Sequence, residues 1–150
     1  MEKIKERKKQ AWDNMIYSAH RLDLLIVSFC GAGIYVCLEI IKFSATKSLP
    51  CNILIKICGS CFLIAVAFNF LSQHYGLKAN QNDYLMSDAM LEAEDTNLSD
   101  IKKNLLQFEI TKFDKLSEKN SKLTARFNTY CIIVLFIALA IMLIYFITTF

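Results

Sequence analysis

Six cysteines, two histidines and a few carboxylates inside apolar stretches are the groups in this chain best placed to do chemistry. Cys58-Gly-Ser-Cys61 spells C-x-x-C, the spacing of a thiol–disulfide exchange site or of half a metal site. It lies inside an apolar run, however, and not beside a strand–helix–strand pattern. Cys30, Cys37, Cys51 and Cys131 also lie within or at the edge of apolar segments. All six read first as buried small hydrophobes. An intramembrane thiol–metal site joining Cys58, Cys61 and a neighbour is the sharper alternative. His20 and His74, with Asp23 and Arg21 close to the first, would supply a metal or hydrolytic site if the fold brought them together. Their simpler reading is interfacial polar residues facing headgroups. No glycine-rich phosphate loop, H-E-x-x-H or G-x-S-x-G stands anywhere in the chain. No Arg stands four to six residues before a His. The reading is a non-enzyme without cofactor or metal.

The elements that must position these groups begin at the end of the chain. Cys131 to Phe150 reads CIIVLFIALAIMLIYFITTF, with no charge, Gly or Pro. About 20 apolar residues at ~1.5 Å each cross a ~30 Å hydrocarbon core as a helix. A chain of 150 residues has no soluble interior able to surround such a helix. Composition agrees: 55% of residues are hydrophobic, with one Pro and four Gly, and the mean hydropathy is +0.35. The formal charge of +3 does not argue for a nucleic-acid partner. The fold class expected is an all-α membrane protein with three transmembrane helices.

Residues 1–21 read as an amphipathic interfacial helix that continues into the first span, with Trp12, Tyr17 and Arg21 as membrane-interface anchors. Lys3, Lys5, Arg7, Lys8 and Lys9 place this end in the cytoplasm by the positive-inside rule. The length of the basic stretch, and Glu39–Lys42 after the first apolar run, argue against a cleaved signal peptide. Residues 22–73 read as a transmembrane hairpin, with spans 22–43 and 52–73 around a short external loop containing Pro50. Gly31-Ala32-Gly33 puts small residues mid-helix, where another backbone can come close. Glu39 and Lys56 fall at similar depth on the two neighbours and are expected to form an intramembrane ion pair, because an unpaired charge in hydrocarbon costs several kcal/mol.

Residues 74–127 read as a cytoplasmic helical segment, and residues 128–150 as the third span, with the C-terminus outside. Polar residues His74–Tyr84 are expected to end the second span, followed by a short helix over 85–94. Asn97 is the expected cap of a long helix, with Asp100 at the capping-box position. Within that helix a heptad frame puts Leu106, Phe113, Asn120 and Phe127 at a positions. Glu109, Leu116, Leu123 and Tyr130 are then at d, imperfect at Glu109. Leu106, Phe113, Leu116, Asn120, Leu123 and Phe127 are thus candidates for pairing subunits. Packing of the same face on its own chain is the alternative. In the third span, Leu135, Phe136, Leu139 and Leu143 share one face and are the candidates for a hydrophobic pore lining.

The arrangement over residues 1 to 110 resembles the small two-span membrane effectors of bacterial antiviral defence operons, the SLATT type. The likeness rests on a helix (Lys3–His20), a tight hairpin (Leu22–Phe43, Asn52–Gln73) and a polar helix containing Tyr and Ala (Tyr75–Glu94). The third span is not part of that pattern. The resemblance implies a multi-pass protein of the bacterial inner membrane that oligomerises and permeabilises it when a cytoplasmic sensor signals. The expected partners are the lipid bilayer, further copies of the chain and such a sensor. A non-conducting scaffold that anchors a cytoplasmic partner is the alternative function.

Overall fold

A computed structural model describes the backbone of residues 2–47, 52–93 and 99–149, and the side chains of 22–47, 52–93 and 99–149. It is all-helical: α1 (Glu2–Thr46), α2 (Ile53–Ala93) and α3 (Asp100–Thr149). Each contains a stretch long and apolar enough to cross a membrane, with mean hydropathy of 2.3, 2.1 and 3.0 in turn. Helices satisfy their backbone donors and acceptors internally, as a bilayer would require of any segment crossing it. The hydroxyls obey the same demand by bonding one turn back. Ser44 Oγ donates to Ile40 O at 3.0 Å, Ser60 Oγ to Lys56 O at 2.9 Å and Thr148 Oγ1 to Ile144 O at 2.9 Å.

Helix ends are set by local caps. Asn52 Oδ1 accepts from Leu54 N at 2.9 Å and so starts α2. In α3 the first backbone bond runs from Lys103 N to Ser99 O at 3.0 Å. Ser99 therefore holds the cap position expected for Asn97, which lies outside the described residues. The expected break at His74–Tyr84 is also absent: α2 runs unbroken to Ala93. That stretch is polar, but its one strong helix breaker, Gly76, costs only about 1 kcal/mol and sits against Thr124, within 3.6 Å of where a Cβ would be.

The chain divides into two compact units. The first holds residues 1–69 and 131–150. Its α1 and α3 parts run in one direction and its α2 part in the other. Its core is Ile26, Cys30 and Cys37 from α1, Ile55, Cys58, Phe62 and Ala65 from α2, and Cys131, Leu135, Ala138 and Tyr145 from α3. The second unit, residues 70–130, is an antiparallel helix pair. Ser72 Oγ donates to Thr124 O at 3.1 Å, Tyr75 stacks on Phe127 at 5.5 Å, and Lys102 pairs with Glu92 at 2.7 Å.

The seam of the second unit follows the heptad rule within one chain. On α2 the covered positions are Ser72, Tyr75, Gly76, Ala79, Asn82, Met86, Ala89 and Ala93. On α3 they are Leu106, Ile110, Phe113, Ser117, Asn120, Leu123, Thr124, Phe127 and Asn128. Small residues at Ala79 (5% exposed) and Ala89 (7%) let the two helices approach closely. Ala79→Leu is expected to overpack this seam and destabilise it by about 1–3 kcal/mol. The check is a lowered unfolding midpoint in detergent, with Lys78→Leu on the exposed side as a neutral control.

Candidate functional site in the three-helix unit

The first unit gathers the apolar parts of the three helices around one core. Its interior is closed. Cys30, Ile55, Cys58, Phe62, Ala65, Cys131 and Ala138 are each 0% exposed. Among the described residues, these side chains fill the line between the three helices.

The thiols are part of that filling. Cys58 Sγ donates to Ala138 O at 3.3 Å, and Cys131 Sγ to Ala65 O at 3.1 Å. Each bond ties α2 to α3. A thiol suits this position because it is small enough for close helix approach and spends its weak donor on a carbonyl. Cys58 of the C-x-x-C is committed in this way, whereas Cys61 is half-buried, and neither is in a disulfide. Among the described residues no group of three His, Cys, Asp or Glu is placed to hold a metal ion. Cys51 and His20 lie outside the described side chains. His74 is exposed, with Tyr75 edge-on to its ring at 5.6 Å.

Close packing also explains one half of the small-residue cluster on α1. A Cβ on Gly33 would stand 2.5 Å from Cε2 and Cζ of Phe62, so the position needs glycine. Gly31 has nothing within 4 Å and faces outward. Gly33 thus admits a neighbouring ring, and not a neighbouring backbone.

A polar contact was missed by sequence reasoning. Asn69 is 2% exposed, and its Nδ2 donates to Asp23 Oδ1 at 3.1 Å, joining α1 to α2. Asp23 was visible as a charge at the start of an apolar run, but nothing in the spacing singled out Asn69 as its partner. Counting along the hairpin would not have found it either: a hairpin closed near residues 47–52 puts position 23 level with about position 76, roughly two turns beyond Asn69.

The expected Glu39–Lys56 pair is not formed. Glu39 Oε1 instead lies 4.0 Å from Lys42 Nζ on its own helix, with both side chains more than half exposed. Lys56 is also exposed. The i,i+3 neighbour is the partner found because it needs no alignment of two helices. Beside Glu39 runs an open apolar groove of about 590 Å³, walled by Tyr35, Ile40 and Phe43 of α1 and Tyr145 and Phe146 of α3.

The proposed pore face is split. Leu135 is buried in the core at 9%, whereas Phe136, Leu139 and Leu143 point outward at 66%, 39% and 61%. Trp12, Tyr17 and Arg21 lie on α1, but their side chains are outside the described residues. In the second unit the candidate subunit-pairing residues Leu106, Phe113, Asn120, Leu123 and Phe127 turn toward their own chain's α2, while Leu116 is exposed at 38%. This corrects the expected d positions Glu109, Leu116 and Tyr130, which are exposed, whereas Leu123 is half-buried. The true second seam is Ile110, Ser117 and Thr124, one residue later, which leaves Glu109 in solvent. On the far side of α3, Lys122 Nζ donates to Glu118 Oε1 at 2.6 Å and holds that carboxyl below its usual range. The pair is mostly exposed and contributes little to stability.

No family model, curated protein or solved structure matches this chain.

Proposed function

We propose that the chain is an oligomeric effector of the bacterial inner membrane that opens or disrupts the bilayer, with its N-terminus in the cytoplasm and its C-terminus outside. The observation that carries this reading is the contrast between the two sides of the three-helix unit. Its interior is sealed by fully buried side chains, while ionisable groups inside apolar helices face outward: Glu39 at 51% exposure, Lys42 at 77%. Glu39 stands seven residues, ~10 Å of helix, before the end of α1. A carboxylate at that depth is costly against lipid and is relieved by a neighbouring copy or by water held between copies. A conducting path would therefore run between subunits, along outward faces such as that of Phe136, Leu139 and Leu143. Residues 74–127, rich in lysine, are the cytoplasmic part that receives a signal, and the resemblance to defence effectors supplies the antiviral setting.

The exposed apolar faces of the second unit also fit the alternative, a scaffold that anchors a cytoplasmic partner and conducts nothing. The two separate in one experiment. Purified protein in liposomes is expected to release a trapped dye well above empty vesicles, and Glu39→Leu is expected to change the rate several-fold. An intact oligomer that leaks under no activating condition would sink the pore reading.

A further inference from the structure

The second unit exposes a regular apolar stripe that its own helix pair does not use. Phe70, Leu77, Tyr84 and Leu91 follow one another every seven residues along α2. They are 65%, 69%, 71% and 69% exposed. At 100° per residue this stripe lies opposite Ser72, Ala79 and Ala89, the positions with which α2 grips its own α3. Four large apolar residues at a strict heptad period are the pattern of a helix that packs on a second helix along its length.

The identity of that second helix follows from charge and level. A parallel pairing of α2 with α2 of another copy would set Asp83 of one helix against Asp88 of the other, in the g-to-e relation of a heptad frame with the stripe at a. It would also fill the intervening d positions with Gln73, Asn80 and Ser87. Like charges and a polar seam both oppose it. The outward face of α3 is the better complement. It begins apolar, with Ile101, Leu105 and Phe108 at 77%, 59% and 68% exposure. It continues as Lys112, Lys115 and Lys119, all exposed. Residues 70–93 hold Asp83, Asp88 and Glu92 against Lys78, a net −2. Residues 99–130 hold seven bases against four acids, a net +3. Within the unit Glu92 is level with Lys102, and Tyr75 with Phe127, so Tyr84 is level with about Lys115 and Leu91 with the apolar start of α3. Copies inserted in one bilayer in the same sense keep those levels. Leu91 then meets Phe108 and Leu105, and Tyr84 offers its ring to the Lys112 and Lys115 stems and ammonium groups.

We propose that the Phe70–Leu77–Tyr84–Leu91 face of α2 docks antiparallel on the basic outer face of α3 in a second copy of this chain. The contact is head-to-tail: each copy offers one face forward and the other behind. Such heterologous contacts close into rings when the rotation per copy permits. The inference rests on the reading that the chain assembles in a membrane, and it names the surface that does so.

The test uses the full-length chain in membranes. One population carries Tyr84→Cys, the other Lys115→Cys, both at exposed positions, and cross-linked peptides are identified by mass after mild oxidation. In mixed membranes the 84–115 inter-chain bond is expected at least tenfold above 84–84 and 115–115. Asp83→Lys with Asp88→Lys is expected to lower assembly at least tenfold, and Lys112→Glu with Lys115→Glu to restore most of it. A dominant 84–84 bond overturns the proposal in favour of α2 pairing with itself. Neither bond, with a foreign subunit co-purifying in equal amount, overturns it in favour of a different occupant. Dye release is read in parallel: 84–115 bonding without leakage defeats the pore and keeps the interface, whereas leakage without 84–115 bonding does the reverse.

Discussion

Phe62→Ala is expected to loosen the three-helix unit by about 2–3 kcal/mol. The ring is fully buried and sits in the notch left by Gly33. In a bilayer the transfer part of such a loss is small, because lipid tails are as apolar as the site vacated. What remains is the packing term: about 24 cal/mol per Å³ over a hole of roughly 100 Å³. Gly33→Ala attacks the same contact from the other side. Its new methyl would meet ring atoms 2.5 Å away, so the ring or the helix must shift, at about 1–3 kcal/mol. The two effects are not additive. Gly33→Ala combined with Phe62→Leu is expected to be more stable than the sum of the single changes implies, since the smaller side chain vacates the space the methyl needs. Unfolding midpoints in detergent give the comparison. A Gly33→Ala protein as stable as the parent would show that α1 and α2 do not approach this closely.

The Gly33–Phe62 contact marks where reading the chain reaches its limit. Three helices long and apolar enough to span a membrane were legible in the sequence, because hydropathy over 20 residues needs no knowledge of neighbours. The continuity of α3 from the polar segment into the last apolar run was legible for the same reason, as no Gly or Pro interrupts it. Which way each helix turns was not. Leu135, Phe136, Leu139 and Leu143 look equivalent along the chain, yet packing buries the first and exposes the rest. The heptad frame on α3 located Leu106, Phe113, Asn120 and Phe127 on the covered side but set its second position one residue early. Polar seams such as Ser117 and Thr124 read as solvent-facing until Ala79 and Ser72 are seen opposite them. Charge placement failed for a related reason: Glu39 has a neighbour one turn away, and a local partner needs no agreement between helices. The break expected at His74–Tyr84 came from treating polarity as a helix stop. Polarity ends a membrane span, but it does not end a helix.

Asn69→Leu is the second large effect, expected to cost about 2–3 kcal/mol. Asn69 is 2% exposed and gives its amide to Asp23 at 3.1 Å, so its removal strips a carboxyl group of its hydrogen-bond donor beside an apolar core. Hydrogen bonds to charged groups are worth ~1.5–3 kcal/mol, and the partner left unsatisfied adds its own desolvation penalty. Purely neutral interhelical bonds in membranes average only ~0.6 kcal/mol, so the size of the loss reports whether the carboxyl acts as a charged acceptor. Asp23→Leu alone is expected to cost a similar amount, because it leaves the buried Asn69 amide without the acceptor it has at 3.1 Å. The double change to leucine is expected to recover at least 1 kcal/mol relative to the two single costs added together. That recovery is the coupling energy of the contact, and it is measurable from four unfolding midpoints. The same cycle run on Glu39 and Lys42 is expected to return almost nothing in detergent, where both side chains are open to solvent. Coupling at Asp23–Asn69 close to zero would mean that the hairpin is held by packing alone and that the polar pair can be replaced without consequence.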